Sequence, residues 1–243
     1  MDRDKSRRKW ISVICGAVCL LFCAGMGAAW AAGRAAERPP DGEEQTKTKG
    51  EEQTKEELPQ QAAVRIACDA GGGNGVILWA KEGEYVLATA AHVTGREPEN
   101  VAVGGIPVCD PEYYVSAEYD LAFVKFRLPD SESAPLLLAA NIDEAGYDAL
   151  EDGDEIRVFG FLGQEGRWYE GRVLSRWIYM EDFGYHMLWG EMKQMQGGLS
   201  GSGVYDKEGR LVGILCGGGG EDEIAVLTMN IIAAQWQRAA LSE

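Results

Sequence analysis

The chain has 243 residues, 46% of them hydrophobic, with 39 acidic against 23 basic side chains and a formal net charge of −16. That length admits one large domain or two small ones, with a sizeable core. The acidity argues against a nucleic-acid binder, which needs a basic face, and disfavours adhesion of the folded part to anionic lipid.

Residues 3–9 (RDKSRRK) carry five basic side chains and one acidic one, and the twenty-three residues from Trp10 to Ala32 carry no charge. About 20 apolar residues suffice to cross a bilayer core as a helix. The expected organisation is therefore a cytoplasmic basic segment over 1–9 and a transmembrane signal anchor over 10–32. The basic cluster sets the orientation, N-terminus inside and everything after the helix outside. Secretion after cleavage near Ala29-Trp-Ala31 is the alternative. Cys15, Cys19 and Cys23 lie within this stretch on one helical face and read as small apolar residues.

Residues 33–61 are charged and polar, with Pro39-Pro40, Pro59 and a short repeat, GEEQTKTK then GEEQTKEE. Almost nothing apolar is present to bury, which predicts a disordered stalk; a helical spacer is the second reading. As a coil it would span on the order of 30 Å.

From residue 62 onward short apolar runs alternate with turn residues: AVRIAC, GVILW, YVLATAA, VAVGG, LAFVKF, IRVFGF, GRVLSRWIYM, GSGVYD, RLVGILC and IAVLTM. Most have four to eight residues rich in Val, Ile, Leu and aromatics, which is strand spacing. Only 229–240 has helical periodicity. An all-β architecture, barrels or a sandwich closed by one terminal helix, is expected.

The chain has two histidines, and His92 ends the apolar run YVLATAAHVT. Histidine can take and return a proton near neutral pH. Its partner in chemistry is sought in the glycine-rich loop GGLSGSGVYD at 197–206. There Ser200 is a candidate nucleophile, and the glycines let consecutive N–H groups converge on a developing oxyanion. Both histidines precede Ser200, which rules out the nucleophile-elbow order of serine, acid, histidine; a GxSxG elbow on Ser200 would also need glycine at Ser202. The remaining order, histidine, acid, serine, needs an acid between them. Asp120, heading the apolar strand DLAFVKF, can be largely buried and face an imidazole. Of the cysteines outside the N-terminal stretch, Cys68 and Cys109 can form one disulfide in an oxidising compartment, leaving Cys216 free. There is no CxxC pair or His/Cys cluster, and no metal or other cofactor is expected.

These pieces together resemble the trypsin-like serine peptidases of the chymotrypsin fold, and within them the bacterial HtrA-type protease domain. The resemblance covers roughly residues 64–235. Its motifs are GNGVIL with YVLATAAHV, then DLAFVK, VFGFLG, GRVLS and finally GLSGSGVYD with GRLVGIL. It implies two six-stranded antiparallel barrels with a C-terminal helix, a peptidase domain over 62–243, and protein or peptide substrates. It also implies His92 as base and acid, Asp120 as its orienting carboxylate and Ser200 as nucleophile, with the Gly198 and Ser200 N–H groups as oxyanion hole. The Cys216-Gly217-Gly218 segment would pair with the substrate backbone, and Gln194 with Met195 would wall the specificity pocket. His186 reads as a strand or loop histidine. The chain ends soon after the second barrel, so no PDZ domain is expected. Two departures stand out: Leu199 replaces the usual Asp or Asn before the serine, and four glycines run from 217 to 220. They motivate a second reading, a latent or inactive peptide-binding module on the same fold.

Overall fold

The computed structural model describes residues 57–129, 137–219 and 222–239. Helix α1 (Glu57–Ala62) leads into strands β1 (Ala63–Cys68), β2 (Gly71–Lys81) and β3 (Glu84–Thr89). The helical turn α2 (Ala91–Thr94) and strands β4 (Ala102–Val103), β5 (Ile106–Pro107), β6 (Cys109–Val115) and β7 (Ala122–Arg127) complete the first half. The second half holds α3 (Glu144–Asp148), β8 (Glu155–Leu162), β9 (Glu165–Met180), β10 (Tyr185–Met192), β11 (Gly203–Tyr205), β12 (Leu211–Gly217), β13 (Glu223–Thr228) and α4 (Met229–Ala239).

Hairpin chemistry sets the local order. Lys81 pairs with Glu84 across Glu82-Gly83, both at positive φ, and Val103 pairs with Ile106 across Gly104-Gly105, also both positive. Two-residue loops of this kind twist with the strands they join. In β3 and β12 nearly every residue is buried, so these strands read as continuous apolar runs, packed on both faces.

The second half closes as expected into a six-stranded barrel, in the order β10-β13-β12-β11-β8-β9. The first half does not. It is an open seven-stranded sheet, β5-β4-β1-β2-β3-β7-β6, where a closed six-stranded barrel was expected. Its two edges are poor ladder formers: β4 and β5 have two residues each, Pro107 ends β5, and β6 carries Asp110 at φ 46° followed by Pro111. Proline cannot donate to a ladder, and edge strands are where it is tolerated.

All ten apolar runs lie wholly or partly in strands, and the terminal helix forms over Met229–Ala239. Strands β5, β6 and β10 were not foreseen; β6 has no fully buried residue and little apolar signal. Residues 57–61, assigned to the stalk, belong to α1, where Pro59 is buried. The proposed anchor, residues 10–32, and the rest of the stalk lie outside the described residues, among which no helix is long and apolar enough to cross a membrane. Cys68, Cys109 and Cys216 are all free thiols, so the Cys68–Cys109 pairing is absent. The Cys68 Sγ instead lies against the carbonyl oxygens of Val93 and Thr94, at 3.7 and 3.6 Å.

Candidate active site

Strand β3 delivers the first residue. Thr89 and Ala90 are fully buried, and the chain then turns into α2, leaving His92 partly exposed. Asp120 stands just before β7 and takes two bonds from the same residue. The His92 backbone N–H donates to Oδ1 at 2.9 Å, and Nδ1 lies 2.7 Å from Oδ2. A carboxylate held this way selects the Nδ1–H tautomer and leaves Nε2 free to accept a proton.

The other half of the molecule supports Asp120 from behind. Its N–H donates to the Tyr185 hydroxyl at 2.9 Å, so a β10 side chain reaches across to the first sheet. Tyr185 packs edge-on against Tyr119, with ring centroids 4.9 Å apart. Burial, with the Cys216 thiol and the Asp120 carboxylate adding to it, pushes the phenol far above its ordinary range, so Tyr185 stays protonated. Sequence reasoning missed Tyr185 entirely, because β10 itself was not foreseen.

Ser200 lies on the loop between β10 and β11. Its carbonyl accepts from the Asn74 N–H at 2.8 Å. A Cβ placed on Gly73 would lie 2.8 Å from that carbonyl and 2.9 Å from the Val93 side chain. Gly73 is thus where the backbone of Ser200 meets the residue following His92, and only a residue without a side chain fits there. The loop continues through Gly201, at φ 84°, whose own Cβ would overlap the Asn74 carbonyl oxygen. Gly201 N–H bonds Leu215 O at 2.7 Å, and Leu215 N–H bonds Ser202 O at 2.9 Å, which fastens the loop to β12.

Leu199 is fully buried, and its Cδ2 lies 3.0 Å from where a Gly160 Cβ would stand. The loop is therefore anchored by apolar packing where the resemblance expects a polar contact. Gly198 adopts φ 99°. Among the described residues neither the Gly198 nor the Ser200 N–H has a hydrogen-bond acceptor, the condition a pair of oxyanion donors must meet.

The proposed substrate-side residues divide. Cys216 is 2% exposed, and its Sγ faces the Asp120 carbonyl at 3.6 Å. Its side chain serves the interior. Gly217 follows a bulge in the β12–β13 pairing, with Phe183 3.5 Å from the position of its absent Cβ. A Cβ on Gly218 would overlap the Glu223 carbonyl oxygen and lie 2.9 Å from Met195 Cε. Gln194 is exposed in a turn, at φ 63°. His186 is exposed on β10, its ring stacked flat on Trp177 at 5.1 Å. Among the described residues no group of three His, Cys, Asp or Glu is placed to hold a metal ion.

Comparison with known proteins agrees with this architecture. The crystal structure of the active form of the Rv3671c protease from M. tuberculosis superposes with a TM-score of 0.56 at 18% identity, covering 88% of this chain and 96% of that one. An inactive serine-to-alanine mutant of Rv3671c from M. tuberculosis H37Rv gives a TM-score of 0.55 at 18% identity, over 76% and 89% of the two chains. At such identity the likeness speaks for the fold. No curated protein sequence matches the chain. The family model described as a trypsin-like peptidase domain matches residues 73–214. It spans more than half of the sequence, from β2 to β12, and takes in both His92 and Ser200; on that match the chain belongs to the trypsin-like peptidase domain family and is a serine peptidase.

Proposed function

We propose that the chain is a membrane-anchored, extracytoplasmic serine endopeptidase that cleaves protein or peptide substrates through His92, Asp120 and Ser200. The observation that carries this reading is the Asp120 carboxylate, both of whose oxygens are engaged by His92. In this mechanism His92 Nε2 removes the Ser200 hydroxyl proton as Oγ attacks the substrate carbonyl. Asp120 stabilises the imidazolium that results. The Gly198 and Ser200 N–H groups receive the oxyanion, and His92 returns its proton to the leaving amine. Water then repeats the sequence on the acyl-enzyme. The backbone of Gly217 and Gly218 pairs with the substrate as an added strand.

The decisive experiment treats the full-length chain with a fluorophosphonate probe. Labelling that disappears in both Ser200→Ala and His92→Ala is the expected result; labelling of either variant at the wild-type rate sinks the reading. The anchor rests on the uncharged run from Trp10 to Ala32 behind a basic cluster. Deleting residues 1–32 is expected to move the protein from the membrane fraction to the soluble one. Retention in the membrane fraction would refute the anchor.

A further inference from the structure

We propose that Asn74 is the positioning residue of the nucleophile loop, clamping the peptide groups on both sides of the Ser200 N–H before substrate arrives. This rests on the reading of Ser200 as nucleophile given above.

Asn74 lies in β2 and is 1% exposed, yet every polar group it carries is used. Its backbone N–H donates to Ser200 O at 2.8 Å. Its Nδ2 donates to Gly198 O at 2.8 Å and to Phe161 O at 3.2 Å. Its Oδ1 accepts from the Phe161 N–H at 2.7 Å, and its carbonyl accepts from Thr89 Oγ1 at 2.6 Å. This pattern fixes the amide orientation. Turned over, it would set its NH₂ against the Phe161 N–H and its oxygen against two carbonyls. One residue of the first sheet thus joins β8 of the barrel to two carbonyls of the loop.

Gly198 is the softest point of that loop. At φ 99° it has no side chain to restrict rotation, and its peptide units are free to swing unless held. Peptide groups are planar, so holding the Gly198 carbonyl fixes the unit leading to Leu199, and holding the Ser200 carbonyl fixes the unit leading away. Between them, the fully buried Leu199 immobilises the remaining side chain. The unit that carries the Ser200 N–H is bracketed on both sides. The Leu199 side chain has no polar group with which to orient it; the Leu199 carbonyl accepts from the Ser202 N–H at 3.0 Å, and the hydrogen bonds to the units on either side come from Asn74.

The test uses the full-length chain and saturating fluorophosphonate kinetics. In that reaction the Ser200 Oγ–phosphorus bond forms, the phosphorus–fluorine bond breaks, fluoride leaves and the serine proton passes to His92. The phosphoryl oxygen occupies the place of the oxyanion. Asn74→Ala deletes the side-chain half of the clamp, including the donor to Gly198 O, and leaves the backbone bond to Ser200 O in place. Asn74→Asp keeps the shape and the acceptor for Phe161 but removes the donor to Gly198 O. In both, kinact is expected to fall about ten-fold or more, the scale of a misplaced oxyanion donor. KI stays near wild type and labelling still runs to completion. A merely structural role would instead lower the labelled fraction and leave kinact of the remainder unchanged. That result, wild-type kinact in either folded variant, or loss of fold in both, overturns the positioning role. Labelling that persists in Ser200→Ala at the wild-type rate overturns the underlying reading instead, so the two failures are distinguishable.

Discussion

At the scale of single residues the site is held by buried groups of opposite kinds. Asn74 contributes five hydrogen bonds in the interior, whereas the Leu199 side chain contributes packing alone. Leu199→Ala is expected to cost about 2–5 kcal/mol, the range for emptying a fully buried leucine site. Urea denaturation measures that loss, and an unchanged midpoint would mean that the loop does not depend on this anchor. Tyr185→Phe removes only a hydroxyl, but it leaves the Asp120 N–H without its partner. A loss of about 1 kcal/mol is expected, the low end of the cost of an unpaired donor, since Asp120 is half-buried. The same denaturation experiment checks it, with wild-type stability as the contrary outcome. Asp120 and His92 were readable as a pair because chain order called for an acid between His92 and Ser200, and Asp120 heads an apolar strand. Tyr185 was not, because a tyrosine in an unforeseen strand carries no sequence mark of the N–H it will meet.

At the scale of elements, glycines separate strain from collision. Gly83 closes the β2–β3 hairpin at φ 83° with open space around it, so Gly83→Ala carries only the cost of a left-handed backbone, about 1–2 kcal/mol. Gly213, in the middle of β12, has ordinary φ, but a Cβ there would overlap the Leu227 carbonyl oxygen of β13. Gly213→Ala is expected to be the worse of the two, because it opens the ladder that carries Cys216 and Gly217. Thermal unfolding of the two variants ranks them, and the reverse order would contradict this packing. The strands themselves were legible wherever both faces are buried, as in β3 and β12. They were illegible where an edge faces water, as in β6, because pairing there is decided by the neighbour β7 and leaves little apolar pattern.

At the scale of the whole molecule, the barrel buries groups that must stay protonated. Cys216 and Tyr205 are buried, and Tyr185 is mostly so. Burial raises all three above their ordinary values of 9.0 for the thiol and 10.0 for the phenols. In the unfolded chain these groups lose their protons first. The folded state therefore holds more protons above about pH 9, and stability falls as pH rises through that range. Urea midpoints measured from about pH 7 to about pH 11 are expected to decline, and a flat profile would show that the three groups are not shielded. Tyr205→Phe should flatten the decline. It should also raise the midpoint at neutral pH, since the Tyr205 hydroxyl is buried with no partner among the described residues.

The sequence alone determined the class of fold, the ten apolar runs and the terminal helix, and it singled out His92 and Asp120, which the structure brings together. It did so because short apolar runs and chain order are written residue by residue. The tertiary structure decided what depends on two distant segments meeting. Proline-bearing edges leave the first sheet open, and the Cys68 thiol lies against the Val93 and Thr94 carbonyls. Tyr185 reaches Asp120 from the other half, and Asn74 reaches across 124 positions to Gly198. Long-range hydrogen bonds of this kind have no period, so they leave no pattern in a single sequence.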